Sequence, residues 1–135
     1  MNETMTLDTF LTQHRITMTT HSVRENPFMD NSQSMNHWKC RLRCGRNSMT
    51  VYFSKGYGHR GAEPTLPEVL DCLASDAADY DNASSFDEWC DQYGFDADSR
   101  KVEKTWKTIG KQRDNLERLL GPSAYEALLN DTERM

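Results

Sequence analysis

The sequence WKCRLRCGRNSMTVYFS, residues 38–54, consists of two alternating segments joined by a short polar link. In the first segment the apolar residues alternate with Lys39, Arg41 and Arg43. Successive side chains of a strand point to opposite faces, so this period of two predicts a strand with one apolar and one basic face. The link at residues 45–47 predicts a tight turn. The two segments should therefore form an antiparallel hairpin.

Further strand and helix signals surround this hairpin. Residues 15–24 contain the β-branched, alternating sequence ITMTTHSV, which predicts a third strand. Residues 6–13 predict a short helix, and residues 26–36 and 54–62 predict loops by their composition. After the hairpin, apolar spacing predicts four helices, which cover about residues 66–80, 86–93, 99–120 and a last segment from Pro122.

Two of these helices begin at capping boxes. Thr65-x-x-Glu68 and Ser85-x-x-Glu88 place a hydroxyl and a carboxylate where they can satisfy the first backbone N–H groups of a helix. The predicted fold class is α+β, with a small antiparallel sheet of about three strands followed by a three- to four-helix bundle.

The composition predicts one folded domain. A chain of 135 residues supports a single modest core, and we expect residues 1–62 to form a helix-plus-sheet part and residues 63–135 a helical part. The hydrophobic content is 36% and the mean hydropathy is −0.83, but 10% aromatic residues with three tryptophans argue against disorder.

The compartment is predicted to be the cytoplasm. No apolar run approaches the roughly 20 residues that span a bilayer, and residues 1–10 lack the basic and apolar regions of a signal peptide. We therefore expect reduced, mostly buried and metal-free thiols at Cys40, Cys44, Cys72 and Cys90.

Charge is strongly segregated along the chain. Residues 31–60 carry six basic residues and no acid, and residues 100–118 carry seven basic residues against three acids. Between them lies a run with eleven carboxylates and no lysine or arginine, here called the acidic block. Its members are Glu63, Glu68, Asp71, Asp76, Asp79, Asp81, Asp87, Glu88, Asp91, Asp96 and Asp98.

The acidic block has two interpretations. Carboxylates fixed on helices can occupy the lysines and arginines with which a partner holds phosphates, and such charges chiefly raise the association rate. The predicted partner-binding residues are Glu68, Asp71, Asp76, Asp79, Asp87, Glu88 and Asp91. The alternative is a solvated face that is partly neutralised by the basic helix of residues 100–118, and both interpretations stay open.

The basic strand face is a second candidate site. It would bind a nucleic-acid backbone through Lys39, Arg41 and Arg43 on the strand, with Lys55 and Arg60 in the following glycine-rich loop. The alternative is that these cations protect the sheet from pairing with other chains.

Metal and catalytic motifs are weak. His37-x-x-Cys40-x-x-x-Cys44 resembles a ligand series, but the two cysteines share the apolar strand face with Trp38 and lack the usual tight C-x-x-C knuckle. A calcium loop from Asp79 is rejected because its sixth and twelfth positions are not Gly and Glu. The histidines are scattered and no nucleophile motif occurs, so we expect no enzyme, no cofactor and no metal.

Two residues of the long helix break its pattern. Arg113 falls on the apolar stripe, which predicts an inward ion pair with a carboxylate of the acidic helices. Gly110, in mid-helix, predicts close approach by another element.

The sequence LPEVLDCLASDAADYDNASSFDEWCDQYGFDADSRKVEKTWK, residues 66–107, carries a resemblance. The run over about residues 64–121 resembles small proteins of tailed bacteriophages and prophages, a family with no established activity. Phage genes of this size often encode anti-defence proteins, including inhibitors of CRISPR effectors. The resemblance thus implies a phage-encoded, non-enzymatic inhibitor of a host defence nucleoprotein, but no functional residue is carried over from it.

The expected partner is a host protein or nucleoprotein with a basic surface, which the acidic block would engage as a nucleic-acid mimic. Direct nucleic-acid binding and membrane association are not expected. The alternatives are a small nucleic-acid-binding module that uses the basic strand face, and a virion or assembly protein. The oligomeric state stays open.

Overall fold

The computed structural model describes residues 5–23, 37–54, 62–83 and 85–133. The elements of these residues are, in chain order, β1 (Met5–Thr6), α1 (Leu7–Gln13), β2 (Ile16–Val23), β3 (His37–Cys44), β4 (Asn47–Ser54), α2 (Leu66–Asn82), α3 (Phe86–Tyr93), α4 (Arg100–Leu120), α5 (Pro122–Asn130) and β5 (Thr132–Glu133). The α+β prediction is confirmed, with the expected three-stranded antiparallel sheet and four helices after it. The loop predicted over residues 26–36 and most of the one over residues 54–62 lie outside the described residues.

The sheet has the order β2-β3-β4, and its register follows from the alternating sequence. Cys40 lies opposite Thr20 on one side and Val51 on the other, and Leu42 lies opposite Met49. The side chains of Cys40, Leu42, Met49 and Val51 are buried, so the apolar face of the hairpin packs against the core. The predicted hairpin is confirmed.

The link between β3 and β4 turns at Gly45, which has a φ of 60°. Glycine adopts this left-handed conformation without steric cost, as a hairpin turn of the mirror-image types requires.

One core joins the sheet to four of the helices. α1 contributes Phe10 and α4 contributes Leu116, both of them fully buried. Other members of this cluster are Leu7, Leu11, Ile16, Cys40, Leu42, Met49, Val51, Val69, Leu70, Leu73, Ala74, Ala77, Leu119, Tyr125 and Leu128. Because the sheet and the helices share this core, their outward faces point away from it to different sides of the molecule.

A two-stranded parallel ribbon was not predicted. β1 pairs with β5, with Met5 opposite Thr132, and the Met5 N–H donates to the Asp131 carbonyl over 2.9 Å. Each strand has only two residues, which is too short for a hydrophobic period to form. The pairing is a tertiary consequence of the way α1 and α5 pack.

A second cluster, made of aromatic residues, joins α2, α3 and α4. The Tyr80 ring stacks on Trp106 with a centroid distance of 4.3 Å, and Trp89 lies 5.3 Å from the same indole. Gly110 is buried on α4 directly beside Tyr80, and a Cβ added there would meet the phenol ring at 2.8 Å. The close approach predicted from Gly110 is therefore confirmed.

None of the helices in the described part of the chain combines the length and the apolar composition needed to cross a bilayer.

Substitution Gly110→Ala tests the close approach of α2 to α4. We expect the added methyl to lower the free energy of unfolding by about 1 kcal/mol, because Tyr80 is held by its stack on Trp106 and the overpacking exceeds the gain in helix propensity. In a Tyr80→Ala background the clash is gone, and the same substitution should raise stability by about 0.5–1 kcal/mol. Urea unfolding of the four proteins measures both values; equal effects in the two backgrounds would contradict this account.

Candidate functional site: the acidic helical surface

The two acidic helices begin where the capping boxes predicted. The Thr65 hydroxyl accepts from the Glu68 N–H, and the Glu68 carboxylate accepts from the Thr65 N–H over 3.2 Å and from its hydroxyl over 2.7 Å. At the start of α3 the Ser85 hydroxyl accepts from the Glu88 N–H over 3.1 Å. Glu68, one of the predicted partner-binding residues, thus caps the N-terminus of α2. Its hydrogen bonds with Thr65 lower the pKa of its carboxyl.

The acids of α2 point to different sides. Asp71, Ser75 and Asp79 follow a four-residue spacing, which places them in one row about 12 Å long on the side opposite the buried residues. Asp76 lies off this row and lines a cleft of about 170 Å³ between α2, α4 and β4. Asp76 is exposed at this cleft, where partial removal from water and the nearby charge of Asp79 raise the pKa of its carboxyl.

The acids of α3 form the second part of the surface. Asp87, Glu88 and Asp91 are all exposed, whereas Trp89 and Cys90 on the other side of the helix are buried. Together with Asp71 and Asp79, these three residues make up what we call the acidic surface.

Asp81 belongs to the acidic block but is bonded within the fold, at a partly exposed position near the end of α2. Its Oδ1 accepts from Arg113 Nε over 2.8 Å, and its Oδ2 accepts from the Tyr125 hydroxyl over 2.6 Å. Arg113 also pairs with Glu117 over 2.9 Å, and its guanidinium lies 4.7 Å from the centre of the Tyr125 ring. The predicted inward ion pair of Arg113 is confirmed, and it ties α2 to α4 and α5.

Three members of the acidic surface form no ion pair with α4 among the residues that the structure describes. Lys107 pairs within its own helix, with Glu103 over 3.1 Å. Asp79, Asp87 and Asp91 lie beyond ion-pair distance of every lysine and arginine that the structure describes. Their charge therefore remains available to a partner.

The end of α3 departs from the sequence prediction. The apolar spacing of residues 86–93 predicts that Tyr93 is buried with Trp89, but Tyr93 is 40% exposed, and the neighbouring Phe95 is 46% exposed. The helix ends at Gly94 in the left-handed conformation, with a φ of 73°, so that the chain turns outward there. The apolar stripe gave no sign of this exposure because spacing cannot show which part of a helix its neighbours cover.

The basic strand face is exposed on the other side of the sheet. Arg41 and Arg43 lie opposite Thr19 and Thr17 of β2, and all four residues are exposed. Lys39 is half-buried. The other two predicted residues of this site, Lys55 and Arg60, lie outside the described residues.

The series that resembled metal ligands does not converge. His37 lies on the opposite strand face from Cys40 and Cys44, and no group of three or more potential ligands occurs in the described ranges. All four cysteines are free; Cys40 and Cys90 are buried, whereas Cys44 and Cys72 are half-buried. Burial raises the pKa of the Cys40, Cys44 and Cys72 thiols.

Comparison with protein-family models, curated proteins and solved structures finds no match to this chain. The resemblance to phage proteins therefore stays a prediction, and the functional argument rests on the geometry of the surface.

Substitution Tyr125→Phe tests the Asp81 network. Loss of the 2.6 Å hydrogen bond should lower the free energy of unfolding by about 1–2 kcal/mol at neutral pH. Burial and the bond to Asp81 raise the pKa of Tyr125, so that above about pH 10 the unfolded phenol ionises while the folded one keeps its proton. Stability should then fall as pH rises in the wild type, and less steeply in the variant.

Urea unfolding at several alkaline pH values measures this difference. The raised thiol pKa values affect both proteins alike, so the comparison isolates Tyr125. Parallel pH profiles for the two proteins would contradict the raised pKa of Tyr125.

Proposed function

We propose that this chain is a non-enzymatic phage protein that binds a basic surface of a host defence nucleoprotein, such as a CRISPR effector. The acidic surface of α2 and α3 makes the contact, and it occupies cations that otherwise hold nucleic acid. Binding there excludes the nucleic acid and inhibits the effector.

The observation that carries this proposal is the position of Asp79, Asp87 and Asp91. They stand on helices, and none is within ion-pair distance of a described lysine or arginine. The network with Arg113 and Tyr125 uses Asp81 instead. The outward carboxylates therefore create a field of negative sign. Such a field steers a basic partner and fixes its orientation before contact.

The shape of the surface favours a macromolecular partner. Active sites and small-ligand sites are usually concave and mostly apolar. The outward carboxylates lie instead on the exposed sides of two helices, where a broad partner surface can reach several of them at once.

Charge reversal at Asp71, Asp87 and Asp91 to Lys tests the proposal. Affinity capture from host lysate, with and without nuclease, identifies the partner, and surface plasmon resonance then measures the association rate. We expect the triple variant to associate at least about tenfold more slowly than wild type at low salt, with a smaller change in the dissociation rate. Short duplex DNA or structured RNA should compete with the wild type for the partner.

The matched control reverses Asp8, Glu126 and Glu133, three exposed acids outside α2 and α3, and thus changes the net charge by the same amount. This control should associate almost as fast as wild type. Equal rates for the well-folded triple variant and the wild type, or a complex that nucleic acid leaves intact, would refute nucleic-acid mimicry.

A nucleic-acid-binding module is the second candidate, because Arg41 and Arg43 are exposed on one sheet face. Cations in this arrangement can track a phosphate backbone. Only one described contact restrains them, a 3.3 Å hydrogen bond from Arg41 to the Ser48 hydroxyl. The face is small, however, beside a chain of net charge −5.

We expect no tight binding of the protein alone to nucleic acid, because the acidic block repels phosphates from much of the surface. Fluorescence anisotropy with single-stranded DNA, duplex DNA and structured RNA measures this at two salt concentrations. Sub-micromolar, salt-sensitive binding that Arg41→Glu abolishes would make this second candidate the better account. Thr19→Glu, directly opposite Arg41 on β2, tests whether any such loss comes from added negative charge alone.

A further inference from the structure

The C-terminal end of α3 exposes two aromatic side chains, Tyr93 and Phe95. Tyr93 and Phe95 are the large hydrophobic residues most exposed in the described part of the chain. Their ring centroids are 6.4 Å apart. Single exposed apolar residues are ordinary, but an adjacent aromatic pair is a contiguous patch that a partner can cover.

This pair is held rigidly. The Phe95 ring lies 5.0 Å from Trp89, which is buried and packs on Trp106. The backbone is fixed as well, because the N–H groups of Gly94 and Phe95 both donate to the Cys90 carbonyl, the latter over 2.8 Å. A patch that is already ordered loses little conformational entropy when it binds.

The surroundings of the pair are negative. A hydrogen bond with Asp79 raises the pKa of the Tyr93 hydroxyl, and the charges of Asp79 and Asp76 add to this shift. Asp96 directly follows Phe95 and is exposed, and its Oδ1 accepts from the Asp98 N–H over 2.9 Å. The C-terminal end of α3 contributes further partial negative charge through the helix dipole.

Together these features select one kind of partner group. An aromatic face attracts a cation, and a planar guanidinium can lie on a ring while it donates two hydrogen bonds to a neighbouring carboxylate. A lysine ammonium is a compact, strongly hydrated charge and gains less from the rings. Aromatic rings next to carboxylates therefore favour arginine over lysine.

We propose that Tyr93 and Phe95, with the carboxylates of Asp79 and Asp96, form an arginine-binding patch that engages an arginine-containing basic segment of a partner protein. The patch rests on the proposed function, to which it adds a chemical specificity. The acidic surface attracts the partner over a distance, and the patch recognises one of its side chains.

Two peptides of equal length and charge test this proposal on the full chain. One alternates glycine with arginine over eight residues, and the other alternates glycine with lysine. We expect the arginine peptide to bind about fivefold more tightly in a low-salt anisotropy titration. Its binding should also shift the NMR signal of the Trp89 indole, which lies next to Phe95.

The variants Phe95→Ser and Tyr93→Ser should remove this preference, so that both peptides bind with the affinity of the lysine peptide. Both residues are substantially exposed, and unchanged near-ultraviolet circular dichroism would verify the fold. Tyr93→Phe keeps the ring and should keep most of the preference. The control Asp8→Asn removes one negative charge elsewhere and should affect the two peptides equally.

Equal affinity for the two peptides in the wild type would overturn the patch, as would an arginine preference that survives both serine variants. If the peptides still bind in a salt-dependent manner that reversal of Asp71, Asp87 and Asp91 abolishes, the patch fails while the proposed acidic contact stands. If neither peptide binds, the patch is also overturned, and the acidic contact is then judged by its own association-rate experiment.

Discussion

The carboxylate of Asp81 is the interaction on which the arrangement of the helices depends. One of its oxygens accepts from Arg113 of α4 and the other from Tyr125 of α5, so three helices meet at a single side chain. Unlike an apolar contact, this geometry is directional, and together with the buried stripe of α2 it sets the rotation of that helix about its own axis. Breaking it would leave the half-buried guanidinium of Arg113 with a poorer set of partners.

That rotation decides which acids can reach a partner. With Asp81 turned toward α4 and α5, the row from Asp71 to Asp79 faces outward and Asp76 faces the cleft beside β4. A single acidic run thus supplies three different things: a helix cap at Glu68, an ion pair between helices at Asp81 and a charged surface. The ion pair uses one member of the block, and Asp79, Asp87 and Asp91 form no ion pair with a described lysine or arginine.

The sequence predicts the helices and strands well wherever hydrophobic residues recur with a clear period or a capping residue marks a helix start. The hairpin of β3 and β4 follows from its alternation, α3 has the predicted bounds, and the starts of α2 and α4 lie within one residue of their predicted positions because of Thr65 and Ser99. The ribbon of β1 and β5 escapes prediction because two residues carry no period. Its pairing depends on how elements from distant parts of the chain meet.

The site is predicted less completely than the fold. Charge is visible in the sequence, and so are the odd positions of Gly110 and Arg113. The sequence does not show which carboxylate bonds within the fold and which faces outward. Asp79 and Asp81 are two residues apart and differ only in the neighbours that tertiary packing brings to them. The exposure of Tyr93 depends likewise on where α2 and α4 end relative to α3.

The sheet and the helices turn faces of opposite charge to different sides of the same core. Arg41 and Arg43 are exposed on one, and Asp87 and Asp91 on the other. In the field of a charged partner this separation produces a torque, which rotates the protein as it approaches. At physiological salt the field fades over about 8 Å, so the rotation is confined to the last step before contact. Under the proposed function, a basic partner met in an unfavourable orientation is turned toward α2 and α3.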